Sequence, residues 1–325
     1  MTIIIRFLVV VIILAGSQIV KSQNLLSENE LESLLDKAEI QAQNYTEVFQ
    51  NLSADELKTK FYYKENGKLD DKRIIKSIFI VYQSPDSKFA QEYRNVVEYN
   101  GKNVQRDEKE IAKFFDKLSK IDSTKKEYEK IRKEGLRYDG RTVSWGMTLR
   151  KSRPFSKNLR KDFDFRVVAK EKIDGVDVWR IEYEQIRNSP YIYSNPTKEE
   201  LEERKKLQTG GTQYGANISD DFRPTNPLMK GTVWLDVETA QIRRNDFQIV
   251  FHPAKLSKPI TVSEFSYQYQ SSDFGILVPK RFSIISYKID GKSDKDLSVT
   301  KDSEIIYDYS NFKEFKTDID NYKIK

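Results

Sequence analysis

Residues 231–249, GTVWLDVETAQIRRNDFQI, place a tryptophan, an aspartate and an arginine doublet on one predicted hairpin. Such side chains can build anion sites or acid–base sites. On a regular strand, however, neighbours alternate faces, so Arg243 and Arg244 are expected to point apart and cannot clamp one anion together. Val233, Leu235 and Val237 alternate with Trp234 and Asp236 in the same rhythm, and the segment reads as a rib of a sheet. His252 is the only histidine and sits between this strand and Pro253, a strand-end position. One imidazole rules out two-histidine metal sites and leaves at most one for proton transfer. The chain has no cysteine, hence no thiol nucleophile and no disulfide. No G-x-S-x-G elbow is present. The GGTQYG run (Gly210, Gly211, Gly215) lacks a leading strand and a following lysine–serine pair, so it reads as a loop tip rather than a phosphate cradle. Asp162 with Asp164, and Asp220 with Asp221, miss the EF-hand spacing and read as solvated carboxylates. Asn44, Asn51 and Asn217 head N-x-S/T triplets, which matter only in a eukaryotic secretory pathway. No catalytic residue, metal or cofactor is predicted.

The N-terminus reads as a targeting segment. Arg6 precedes an apolar run from Phe7 to Ala15, shorter than the roughly 20 residues a membrane span needs. Val20 and Ser22 fit the −3 and −1 positions of a cleavage site. We expect a signal peptide over 1–22, a mature chain from Gln23, and a periplasmic or extracellular protein with no later membrane span; an uncleaved anchor is the alternative. Losing Arg6 and Lys21 lowers the formal charge of +6 by two, and the remaining charges are interspersed. That is not a nucleic-acid footprint.

The rest is predicted as one domain over 23–325. Ser27 and Glu30 form a capping-box signal. Leu31, Leu34, Leu35, Ala38, Ala42, Tyr45, Val48, Phe49 and Leu52 recur behind it at helical spacing, giving an amphipathic helix over 27–54. From Leu57 the period is two. Over 72–83, Ile74, Ile78 and Ile80 alternate with Ile75, Phe79 and Val81, which predicts a strand covered on both sides. Asn100-Gly101 is a tight-turn signal. Two short charged helices are expected near 107–119 and 123–136. A meander follows, with hairpins turning at Asp174-Gly175 and near Glu238-Thr239 and three more strands beyond, in an antiparallel sheet of nine or ten strands. Trp179, Ile181 and Tyr183 separate from Arg180 and Glu182, as do Phe247 from Asp246 and Phe265 and Tyr267 from Glu264 and Gln268, so one face is aromatic and the other polar. Residues 187–229 form a connection long enough to be a lid, binding loop or insert.

The order of these segments resembles a family of exported bacterial proteins. The hairpins IDGVDVWRIE and GTVWLDVETAQIRR, the V-P-K-R strand at 278–281 and YDYSNFKEF are similar to the ribs of the LolA/LolB superfamily of periplasmic lipoprotein carriers. The resemblance spans about residues 60–315. It implies an α+β fold: a curved antiparallel sheet, an incomplete barrel, with helices across its concave side and a space for acyl chains between. It further implies an apolar ligand, a lipid or a lipoprotein, and no catalysis. Leu35, Trp179, Tyr183, Phe247, Phe265 and Tyr267 are then the expected ligand-binding face. An envelope interaction module with a filled sheet, including a protein partner, is the alternative, and a secreted hydrolase a third reading.

Overall fold

A computed structural model describes residues 25–49, 52–82, 90–104, 138, 155–187, 192–193, 212–213, 227–252, 256–291 and 295–314. The predicted signal peptide, the two predicted charged helices near 107–119 and 123–136, Asp220, Asp221 and the glycines of GGTQYG lie outside these residues.

Eleven strands form one open antiparallel sheet, so the expected nine or ten is an undercount. In chain order they are β1 (Leu52–Tyr63), β2 (Leu69–Tyr82), β3 (Gln91–Tyr99), β4 (Lys102–Asn103), β5 (Phe163–Ile173), β6 (Val176–Gln185), β9 (Leu228–Asp236), β10 (Ile242–Phe251), β11 (Ile260–Ser271), β12 (Leu277–Asp290) and β13 (Ser298–Glu314). The two-residue strands β7 (Ile192–Tyr193) and β8 (Thr212–Gln213) pair in parallel within the 187–229 connection, where the sequence predicts a short charged helical stretch over 195–206 but no strand. The large sheet runs β4-β3-β2-β1-β13-β12-β11-β10-β9-β6-β5. Its last strand, β13, pairs with its first, β1, and β9 pairs with β6 across the insert. Turns fall where the sequence signals them. Asn100 with Gly101, and Asp174 with Gly175, take positive φ between adjacent strands, as tight hairpins of this twist require. The β9–β10 hairpin closes on Asp236, whose Oδ1 accepts the amides of Glu238 and Thr239.

The N-terminal helix, α1, spans Glu28–Val48. Ser27 and Glu30 make the reciprocal capping box. The helix ends earlier than the predicted 54 because Phe49 leaves helical geometry, and Leu52 and Ala54 already belong to β1. Leu52 fits the helical period by its distance from Tyr45 and Phe49, but it also opens the two-residue alternation that wins. A second helix, α2 (Lys157–Arg160), is a single turn leading into β5.

The strand β2 departs from the reading of a rib covered on both sides. Ile75, Phe79, Ile80 and Val81 are buried, but Ile74 is half-buried and Ile78 is 37% exposed. Only the end of this strand is covered on its second face.

Candidate functional site

Register fixes which side chains share a face. Trp179 pairs with Leu235, Ile181 with Val233 and Tyr183 with Gly231. Gly231 pairs in turn with Phe247, Phe247 with Phe265, Phe265 with Ile284, and Tyr267 with Phe282. Helix α1 lies on this face. Its Leu34, Leu35 and Ala38 share one apolar cluster with Ile181, Tyr183, Val233, Leu235, Phe247 and Ile249, and Trp179, Phe265 and Tyr267 pack against that cluster. All six residues predicted to form the ligand face are therefore brought together. Leu35 is fully buried at the centre, Tyr183 and Phe247 are buried, and the other three are half-buried.

The aromatic rings form a ladder across four neighbouring strands. Phe247 stacks on Phe265 at 4.6 Å and on Tyr267 at 5.8 Å, Tyr267 on Phe282 at 4.8 Å, and Phe282 on Tyr307 at 4.7 Å. Tyr307 continues to Tyr309 on the same strand at 6.3 Å. Offset stacking of this kind adds to the stabilisation from buried area. The second half of α1 covers the far end, where Tyr45 meets Tyr269 edge-on and Phe49 meets Phe79. Burial raises the Tyr45 hydroxyl well above its ordinary pKa, and the Tyr269 hydroxyl likewise.

Tyr183 owes its position to Gly231. A Cβ at Gly231 would meet the Asp246 carbonyl at 2.4 Å, Phe247 Cβ at 2.7 Å and the Tyr183 hydroxyl at 2.7 Å. The missing side chain lets the Tyr183 ring lie across β9 and donate its O–H to Asn245 Oδ1 at 2.8 Å.

One arginine holds α1 down from its edge. Arg160, at the end of α2, is buried and donates through Nη1 to Glu32 at 2.9 Å and Asp36 at 2.8 Å, and through Nη2 to Glu39 at 3.4 Å. Its Nε and Nη2 also reach the Phe155 carbonyl. The three carboxylates fall at i, i+4 and i+7, one stripe of the helix. The hydrogen bond from Arg160 holds Asp36 below the ordinary carboxylate range. Sequence reading missed this arginine because it lies in the basic, patternless stretch before β5. The acidic stripe on α1 was the available signal.

Among the described residues, one small space lies beneath α1. The space beneath α1 near Ala42, Tyr45, Ile242 and Leu277 is only about 10 Å³. A larger depression, about 720 Å³, is lined mainly by polar side chains of the opposite face, including Asp164, Arg166, Glu182, Lys230, Asp246 and Glu264, and also by Tyr183, Phe247 and Phe265 of the predicted ligand face. Two ion pairs cross it, Arg166–Glu182 at 2.5 Å and Arg244–Asp246 at 2.6 Å.

The arginine doublet resolves into two separate pairings. A bulge between Ile242 and Arg244 breaks the expected strict alternation. Arg243 turns to Asp236 at 2.9–3.0 Å, while Arg244 pairs with Asp246 and covers the Trp234 ring at 4.8 Å. Burial works against the Asp236 charge, but the Thr239 amide, Arg243 and the Glu238 amide outweigh it and lower its pKa. The stretch is a rib pinned at its turn. His252 stands exposed just past β10. Asp162 is buried and Asp164 exposed. Among the described residues no group of three or more His, Cys, Asp or Glu side chains could hold a metal ion.

No family model matches the chain, and no curated protein does. Solved structures do. A LolA superfamily protein from Nitrosomonas europaea aligns at 12% identity and TM-score 0.30, covering 88% of this chain and 93% of its own. A DUF1329 family protein from Desulfovibrio piger aligns at 12% identity and TM-score 0.28 over 86% and 92%. An outer membrane lipoprotein-sorting protein domain from Vibrio parahaemolyticus aligns at 10% identity and TM-score 0.29 over 87% and 94%. The chain resembles them over most of both lengths and is distant from each in detail. Its own residues carry the functional reading.

Sequence reading missed a second feature of the helix-covered face. Beyond the ladder, on β1 and β3, that face is charged. Glu56, Lys58 and Lys60 alternate inward on β1, and Glu92 and Arg94 join them from β3; all five are buried. Arg94 Nε donates to Glu56 at 2.8–3.0 Å and Nη2 to Glu92 at 3.2 Å. Burial opposes the Arg94 charge, yet Glu56 and Glu92 hold its pKa well above the ordinary value.

Proposed function

We propose that the protein is a non-catalytic, exported binding protein for an apolar ligand, a lipid or an acyl chain, including that of a lipoprotein. The ligand lies along the aromatic ladder, and α1 is the cover that it displaces. The observation that carries this reading is the unbroken ladder from Phe247 to Tyr307 beneath α1, which Arg160 ties at its edge. Four strands of stacked rings offer a ligand chain a continuous apolar track. Each 100 Å² of apolar ligand surface withdrawn from water contributes roughly 2.5 kcal/mol toward displacing the cover. Export follows from the N-terminal segment, and among the described residues no helix is long and apolar enough to cross a membrane.

One observation favours a second reading, an envelope interaction module with a filled core: Leu35 is fully buried, and among the described residues the space beneath α1 near Ala42 and Tyr45 is only about 10 Å³. Titration with the fluorescent fatty acid cis-parinaric acid separates the two. The carrier reading expects saturable binding by wild type and faster binding by Arg160→Ala, whose cover is untied. A folded wild type that takes up no probe contradicts the carrier and leaves the filled module.

A further inference from the structure

The polar depression on the face away from α1 holds charges in a fixed order. Register sets Asp164 of β5 opposite Glu184 of β6, Glu184 opposite Lys230 of β9, Lys230 opposite Gln248 of β10, and Gln248 opposite Glu264 of β11. All five line the depression. Across the strands this row runs negative, negative, positive, neutral, negative. The other charges of the lining are spent within the protein, Arg166 on Glu182 and Arg244 on Asp246. The row is not. Asp164, Glu184 and Lys230 are exposed and have no ion pair or hydrogen bond among the described residues. Glu264 meets only the Gln248 amide, at 3.4 Å, and the Tyr287 hydroxyl, both uncharged. Two carboxylates directly opposite on paired strands disfavour each other, and opposite charges so placed usually pair. Here Asp164 faces Glu184 with no cation between them, and Glu184 and Lys230 face each other without closing. Over the whole lining, five carboxylates meet three cations, so two negative charges are in excess.

We propose that the depression binds a short peptide with free ends and a basic C-terminal residue. Its α-ammonium lies between Asp164 and Glu184, its carboxylate on Lys230, and its basic side chain on Glu264. The order of ligand charges, positive, negative, positive, is the complement of the row, and the ligand's net positive charge offsets the excess in the lining. The spacing fits. Strands lie ~4.8 Å apart, so the middle of the Asp164–Glu184 pair is about 7 Å from Lys230, and Glu264 about 10 Å beyond it on the other side. A two-residue backbone spans about 7 Å at full extension, and a lysine side chain reaches onward from there. The volume, about 720 Å³, is that of a small-molecule site. This site is independent of the apolar ligand beneath α1, which lies on the other face of the sheet.

The test is calorimetric titration of the full-length mature protein, at low ionic strength, with the dipeptide Ala-Lys and three analogues that each lack one charge: Ala-Leu, N-acetyl-Ala-Lys and Ala-Lys amide. Wild type is expected to bind Ala-Lys and to bind each analogue at least threefold more weakly. The variants should lose discrimination one charge at a time. Glu264→Gln should bring Ala-Lys to the level of Ala-Leu and leave Ala-Leu unchanged. Lys230→Met should erase the difference between Ala-Lys and its amide, and Glu184→Gln should narrow the difference between Ala-Lys and its acetylated form. No binding of Ala-Lys, or equal binding of all four peptides by wild type, overturns the proposal. Discrimination that survives all three substitutions overturns it as well, since the charges would then be read elsewhere. The wild-type comparison decides even if a variant does not fold. Uptake of cis-parinaric acid by the same samples separates the two faces: probe binding without peptide binding removes this site alone, and peptide binding without probe binding removes the apolar ligand alone.

Discussion

The two ends of the helix-covered face follow one geometric rule and are built from opposite chemistry. From β6 to β13 the inward side chains are apolar and aromatic: Ile181, Val233, Phe247, Phe265, Phe282 and Tyr307. On β1 and β3 the inward positions hold Glu56, Lys58, Lys60, Glu92 and Arg94. The second end inverts the usual pattern, since Leu57 is 37% exposed while Lys58 and Lys60 are buried. The period of two explains how. Leu52 and Ala54 are fixed inward by the apolar cluster around Phe49 and Phe79, and every second residue after them must follow. The comparison teaches that register, not residue type, decides which side chains are buried, and that one face can hold two environments.

The largest expected effects come from crossing the two chemistries. Leu35→Asp places an unpaired carboxylate in the apolar end and should cost several kcal/mol, on the order of 3–5, in urea unfolding. The mirror experiment is Arg94→Met. It removes the charge that Glu56 and Glu92 share, again about 3–5 kcal/mol. Raising stability instead would mean that the cluster is dispensable and the comparison void.

Gly231→Ala sharpens the apolar end. The new methyl meets backbone and the Tyr183 hydroxyl at under 3 Å, so we expect about 1–3 kcal/mol of overpacking cost, read as a lowered unfolding midpoint. An unchanged midpoint would show that Tyr183 is not seated by that glycine.

Arg160→Ala tests how the cover is tied. Asp36 has its pKa lowered in the folded state, so its pairing stabilises above the ordinary Asp range and is lost as pH falls through the depressed value. The melting-temperature gap between wild type and Arg160→Ala should be widest near neutral pH and narrow below about pH 4. A gap independent of pH would assign the arginine's effect to the Phe155 carbonyl alone. Ser27→Ala should do least, about 1 kcal/mol, by removing the cap of α1.

Much of the aromatic end was legible in the sequence because alternation and turn chemistry agree there: Asp174-Gly175 and Asp236 mark the hairpins, and Trp179, Tyr183, Phe247, Phe265 and Tyr267 fall on one face. The end of α1 was not, because Leu52 satisfies both a helical and an extended period. The charged end was illegible for a deeper reason. Glu56, Lys58 and Lys60 look like a solvated edge of a strand, and only pairing with β13, distant in the chain, turns them inward. Arg160 was hidden similarly, since its three partners lie more than 120 residues away. The bulge at Arg243 leaves no mark in a pattern of alternating types.

The most direct test of an apolar ligand beneath α1 is native mass spectrometry of the protein purified from the envelope that makes it. The account predicts a population heavier than the polypeptide by the mass of one lipid or acyl-bearing molecule, lost on denaturation. A bare polypeptide mass throughout, from protein that is folded and binds no fatty-acid probe, would contradict it.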